Sequence, residues 1–85
     1  MNRKEVMSQI HVIYNGNNDI EFTDVFRQDR TPEIQNPQPN TVTHEQIKRA
    51  LSIYFDVNQN EFDDHYIEIN PNGNITVRPN AKWGG

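Results

Sequence analysis

From Gln9 onward apolar and polar positions alternate. Ile10, Val12 and Tyr14 are separated by His11 and preceded by Gln9, and Ile20 and Phe22 resume the alternation after a break. A period of two marks a strand with one buried face. Ile13 interrupts the polar face. The break, Asn15-Gly-Asn-Asn-Asp19, consists of residues that tolerate positive φ and turn the chain back. Pairing Tyr14 with Ile20 and Val12 with Phe22 sets all four side chains on one face across a five-residue loop. Residues 8–26 are therefore predicted to form an antiparallel hairpin. Val25 and Phe26 fall together, so its second strand is expected to bulge or end near Asp24.

Residues 27–42 have almost no periodicity and carry Pro32, Pro37 and Pro39. Proline blocks a helix and cannot donate to a sheet ladder, so this segment is predicted to be a long loop. A helix is predicted over 44–56. Thr43 can cap it, Gln46 can reach back to the cap amide, and Val42 and Ile47 stand where a hydrophobic staple places them. Ile47, Ala50, Leu51, Tyr54 and Phe55 share its apolar face, with Lys48, Arg49 and Ser52 turned away.

Asp56, Asn58 and Asn60 resemble the opening of a calcium loop, but Glu61 stands where its glycine is needed and Ile67 where its bidentate glutamate is needed. Asp63-Asp64-His65 reads as a solvated acidic connector, because three adjacent loop residues point in different directions. His11 and His44 have no identifiable triad companions.

Two further strands, Tyr66-Ile-Glu-Ile69 and Ile75-Thr-Val77, flank a turn. A two-residue Asn-Gly turn would set Ile69 opposite Thr76 and mix the faces. A three-residue loop, Pro71-Asn-Gly73, sets Ile69 opposite Ile75 and Ile67 opposite Val77, and suits a type I turn followed by a left-handed glycine. The last strand is expected to stop at Pro79.

At 85 residues the chain has room for one domain with one helix and a few strands. A net charge of −4 argues against nucleic-acid binding, which rests on phosphate attraction. The absence of cysteine excludes disulfides, thiolate metal sites and a cysteine nucleophile on this chain. No window has the apolar length of a signal peptide or a membrane span, so a cytoplasmic location without membrane contact is expected, and Asn74-Ile-Thr76 is a coincidental sequon. The organisation expected is an N-terminal arm over 1–7, a domain over 8–79 and a tail over 80–85 ending in Gly84-Gly85. Glycine lacks Cβ, so such a pair lets a terminal carboxylate thread an enzyme's narrow slot.

Ser8-Gln-Ile-His-Val12 opening the first strand, the Asn-Gly turn, one amphipathic helix and a final strand running into Gly84-Gly85 together resemble ubiquitin-like β-grasp proteins. That class includes ubiquitin, the sulfur carriers of molybdopterin and thiamine synthesis, and the small ubiquitin-like proteins of bacterial conjugation-like operons. The resemblance covers most of the chain in order of elements, but the terminal Gly-Gly alone is motif-grade. The chain departs from the class in its long proline-bearing loop, in having two strands rather than three after the helix, and in Trp83.

The resemblance implies an α+β, β-grasp fold of ββαββ order, with two β-hairpins packed on one helix and the first strand parallel to the last. It also implies a monomeric protein modifier. The Gly85 carboxylate, with a reference pKa of roughly 3.5, is inert until a partner activating enzyme adenylates it with ATP. A partner cysteine then forms a thioester, and a conjugating enzyme transfers the chain to a target protein, from which a deconjugating protease releases it. Gly84 and Gly85 would be the activation and conjugation residues, and Arg78, Lys82 and Trp83 would bind the partner. Lys4, Lys48 and Lys82 are the candidate acceptors of a further copy. The chain would hold no cofactor or metal and have no catalytic residues of its own, since no nucleophile, base and orienting group occur together. Two alternatives stay open: a sulfur carrier bearing a C-terminal thiocarboxylate, and a non-conjugated β-grasp interaction module acting through the 27–42 loop and the sheet face.

Overall fold

The computed structural model describes residues 8–80, so the expectations placed on residues 1–7 and 81–85 lie outside the described residues. The first strand, β1 (Gln9–Ile13), buries Ile10 and Val12 and pairs antiparallel with β2 (Asn17–Glu21). The observed register sets Ile10 opposite Ile20 and Val12 opposite Asn18, which corrects the predicted pairing of Val12 with Phe22. Asn15 and Gly16 both take positive φ (56° and 113°), so the chain reverses within Tyr14, Asn15 and Gly16 and does not need five residues. The Asn18 side-chain amide reaches the carbonyls of Val12 (3.3 Å) and Tyr14 (3.1 Å) and braces that turn.

Phe22 also departs from expectation. It opens a single helical turn, α1 (Phe22–Val25), with its amide donating to the Ser8 carbonyl at 2.9 Å. Phe22, Val25 and Phe26 stand at i, i+3 and i+4, so one turn of helix carries all three inward, where an extended chain would divide them between faces. The rings of Phe22 and Phe26 stack with centroids 4.6 Å apart.

The proline-bearing segment contains turns and neither helix nor strand, as predicted. It is nevertheless pinned to the core through buried Thr31, Ile34 and Val42. The main helix, α2 (His44–Phe55), opens on the predicted reciprocal cap: Thr43 Oγ1 accepts from the Gln46 amide and Gln46 Oε1 accepts from the Thr43 amide, both at 3.0 Å. We expect Thr43→Ala to lower stability by about 1 kcal/mol, which for a domain of this size moves the thermal midpoint down by roughly 4–8 °C, while Thr43→Ser retains most of it. Thermal unfolding followed by circular dichroism reads the difference.

Ile47, Ala50 and Leu51 are buried as predicted, but so is Ser52, which was expected to face solvent. A one-turn 3-10 helix, Gln59–Phe62, packs along the flank of α2, placing Phe62 near Phe55 and Asp63 near Lys48. The buried face is thereby widened, and the Ser52 hydroxyl stays satisfied by donating to the Arg49 carbonyl at 2.7 Å.

The acidic connector divides in a similar way. Glu61, Asp63 and Asp64 are exposed, Phe62 between them is fully buried, and His65 belongs to the next strand. That strand, β3 (His65–Ile69), pairs antiparallel with β4 (Ile75–Pro79) in the predicted register, Ile69 opposite Ile75 and Ile67 opposite Val77. Gly73 supplies the left-handed residue of the turn at φ 96°. β4 also lies parallel to β1, with Ile10 beside Ile75 and Val12 beside Val77.

The result is an α+β fold: a mixed four-stranded sheet of order β2-β1-β4-β3 with one main helix. The element order is β1-β2-α1-α2-β3-β4, so the ββαββ expectation is amended by the additional turn α1. Among the described residues, no helix is long and apolar enough to cross a membrane.

Candidate functional site

Because β1 and β4 run side by side in the same direction, their C-terminal ends share one rim of the sheet. The chain leaves the described fold at this rim. Pro79 stands opposite His65, and the Asn80 amide donates to the Asp64 carbonyl at 2.7 Å, continuing the contact one residue past the strand.

An aromatic cluster lies at the same rim. The ring of Tyr14 is 5.1 Å from that of Phe62 and 5.3 Å from that of Phe55, and His65 meets Phe62 edge to face at 5.2 Å. The Nε2 of His65 lies 3.3 Å from the Ile13 carbonyl, which requires the tautomer that carries hydrogen on Nε2. Its Nδ1 is buried without a partner.

On the open face of the sheet the Arg78 guanidinium lies over the ring of Tyr66, 5.1 Å from its centroid. Tyr66 keeps 48% of its surface exposed, the most of any large hydrophobic side chain among the described residues. Arg78 and Tyr66 are direct cross-strand partners, so the two strands hold this pair in place. The tail root thus combines an exposed cation–aromatic pair with the exposed carboxylates Glu61, Asp63 and Asp64.

Of the residues expected to serve a partner, Arg78 stands at this rim on the penultimate residue of β4, while Lys82, Trp83, Gly84 and Gly85 lie outside the described residues. Tyr66 was not among the expected site residues, although the register that sets Ile67 opposite Val77 also sets Tyr66 opposite Arg78. Lys48 is largely covered and lies between two carboxylates, 3.5 Å from Glu45 and 3.7 Å from Asp63. As a candidate acceptor amine it is therefore both shielded and paired. Among the described residues, no three His, Asp or Glu side chains gather as metal ligands.

The opposite rim carries a groove of about 590 Å³. It lies between Pro39-Asn40 of the long loop and the β3–β4 turn, with Ser8 on its third side and Ile69 among its lining. Elsewhere the loop is tied to α2 by an ion pair from the Arg49 Nε to Glu33, which holds the Glu33 carboxyl below its ordinary range, and by Arg30 over the Tyr54 ring. No protein-family model, curated protein or solved structure matches this chain.

Proposed function

We propose that the chain is a ubiquitin-like β-grasp protein, activated at the carboxylate of Gly85 by a partner enzyme and joined through it to a target protein. The observation that carries this reading is the central parallel pair β1–β4. It sets the last strand in the middle of the sheet and leads the chain past Pro79 toward Lys82, Trp83, Gly84 and Gly85. A strand held by neighbours on both sides is a rigid root for a delivered tail.

In this reading catalysis belongs to the partners. A carboxylate oxygen of Gly85 attacks the α-phosphate of ATP and pyrophosphate leaves. A partner thiolate then attacks the acyl carbon and AMP leaves. Finally a target amine displaces the thiolate, giving an amide that a deconjugating protease hydrolyses. Where residues follow Gly85, a protease must first uncover it.

Arg78 and Tyr66, residue types favoured at interface hot spots, would seat the partner beside the tail. The exposed Glu61, Asp63 and Asp64 add negative charge beside this pair. They call for cationic side chains opposite this edge, with an acceptor for Arg78 nearer the sheet face.

The test is intact-mass spectrometry of the untagged protein recovered from its native cells, beside a variant lacking Gly85. Adducts that disappear with Gly85 are the expected result. A thiocarboxylate mass in place of amide-linked conjugates would assign the sulfur-carrier role. An unmodified chain that recovers the same partners after the deletion would overturn both readings in favour of a binding module.

A further inference from the structure

We infer that the outer edge of β3 pairs with the same edge of a second copy of this chain, antiparallel about Ile67. At the two ends of the β3–β4 ladder, the Asn70 amide donates to the Asn74 carbonyl at 2.8 Å and the Asn80 amide donates to the Asp64 carbonyl at 2.7 Å. Antiparallel pairs alternate between bonded and unbonded, so between these fixed ends Tyr66 and Glu68 bond to β4. His65, Ile67 and Ile69 therefore aim their N–H and C=O groups away from it. β3 is the last strand of the sheet, and no group among the described residues bonds to those outward N–H and C=O groups. Such a row is a template for another strand.

The edge is complementary to itself. One antiparallel register pairs all the outward residues: Ile67 faces Ile67 of the second copy, and His65 faces its Ile69. That register sets Tyr66 opposite Glu68 of the second copy, and the two-fold axis repeats the pair with the roles exchanged. Both side chains are exposed. Among the described residues Glu68 has no ionic partner, and the Arg78 guanidinium already lies 5.1 Å from the centroid of the Tyr66 ring. The incoming carboxylate thus arrives beside a cation. Sliding the register one way sets Tyr66 against Tyr66 and the other way Glu68 against Glu68, in each case with fewer backbone bonds.

The other edge of the sheet, β2, behaves differently. The Tyr14 amide donates to the Gly16 carbonyl at 2.8 Å and the Phe22 amide to the Ser8 carbonyl at 2.9 Å, so by the same alternation Asn17, Asp19 and Glu21 face outward. The register that pairs all of them sets Asp19 against Asp19 of the second copy, where like charges repel. β2 is thus guarded against self-pairing, and β3 is not. Antiparallel pairing also holds the exposed Glu61, Asp63 and Asp64, which precede His65, at opposite ends of the joined strands. The net charge of −4 on each copy opposes approach, and the contact is one pair of strands, so the association is weak. The resemblance implied a monomer, whereas this edge gives a concentration-dependent dimer that does not involve Gly85.

The test follows the full chain from about 10 μM to about 1 mM, the span of weak contacts, by sedimentation velocity and NMR. Expected are a weight-average mass that rises toward two chains and amide shifts at His65, Ile67 and Ile69 that move with concentration, while those at Asn17, Asp19 and Glu21 stay fixed. E68K sets an ammonium beside Tyr66 and Arg78 of the second copy and should weaken association about tenfold, because the altered pair occurs twice. Y66E opposes a carboxylate to Glu68 and should weaken it similarly, whereas the double variant Y66E/E68K should restore it to within about threefold of the full chain. Unchanged thermal midpoints of the variants in dilute solution separate lost pairing from lost folding. The chain lacking Gly85 should associate as the full chain does, so this result and the conjugation test are read separately. A single-chain mass throughout the range would overturn the proposal. So would concentration-dependent shifts confined to β2 or to the groove, or an association that E68K and Y66E leave unchanged.

Discussion

Phe62→Ala is expected to cost about 3–5 kcal/mol, the range for truncating a fully buried aromatic ring. A small domain has a total stability of roughly 5–15 kcal/mol, so the variant should stand close to unfolding. Phe62 is fully buried although both its neighbours, Glu61 and Asp63, are exposed. Its ring meets Tyr14 at the end of β1, His65 at the start of β3 and Phe55 at the end of α2. Three elements that converge on the tail root therefore lose their common neighbour at once.

The loss should be unevenly distributed. The Asn80-to-Asp64 hydrogen bond lies one residue from His65, so exchange of the Asn80 amide should quicken more than that of amides at the groove end. Urea unfolding measures the global cost and amide exchange the local one. Phe62→Leu retains most of the volume and should lose a small part of this stability. A shift in the urea midpoint of Phe62→Ala no larger than that of the Thr43→Ala cap variant would show that the ring does not organise this end.

Elements whose signals are local were legible in the sequence. The α2 capping box needs only Thr43 and Gln46, and it forms as read. The β3–β4 turn was legible because a two-residue turn mixes faces and a three-residue loop does not, and the observed register agrees. The first hairpin lacked that discrimination. Moving the partner of Val12 from Phe22 to Asn18 is an even shift, so every side chain keeps its face and hydrophobic pattern cannot separate the two registers. Left-handed backbone at Asn15 and Gly16 decides between them.

Period also fails in single turns. Phe22, Val25 and Phe26 are too few to distinguish the end of a strand from one turn of helix, and Phe62 has no apolar neighbour to form a period with. Burial of Ser52 and the partial covering of Lys48 follow from the 3-10 turn lying on the flank of α2, a tertiary contact invisible in the helix pattern. Of the candidate site, Arg78 entered only as an implication of the resemblance, while its partner Tyr66 followed from a register already derived. The parallel β1–β4 contact was an implication of resemblance alone, because no local signal links Ile10 to Ile75.

Ile34→Ala is the second substitution expected to have a large effect, about 2–5 kcal/mol. A long segment without period reads as a surface loop, whose substitutions cost little. Here, however, Thr31, Ile34 and Val42 are all buried, and Ile34 is the largest apolar anchor between Phe26 and the helix. The polar ties of the same loop are weaker competitors. Glu33 and Arg49 are both about half exposed, so solvent and salt screen their attraction. The carboxyl of Glu33 is depressed by Arg49, so the stability it adds is present above the ordinary carboxylate range and is lost as pH falls through the lowered value. Glu33→Gln should therefore shift the urea midpoint slightly at neutral pH and not at all in strong acid, whereas Ile34→Ala should shift it strongly at both. Limited proteolysis of Ile34→Ala should cut within residues 27–42 before any strand, since the loop opens once its anchor is gone. An unchanged urea midpoint with altered partner recovery would instead make residues 27–42 a docking segment independent of the core, the behaviour the interaction-module reading requires.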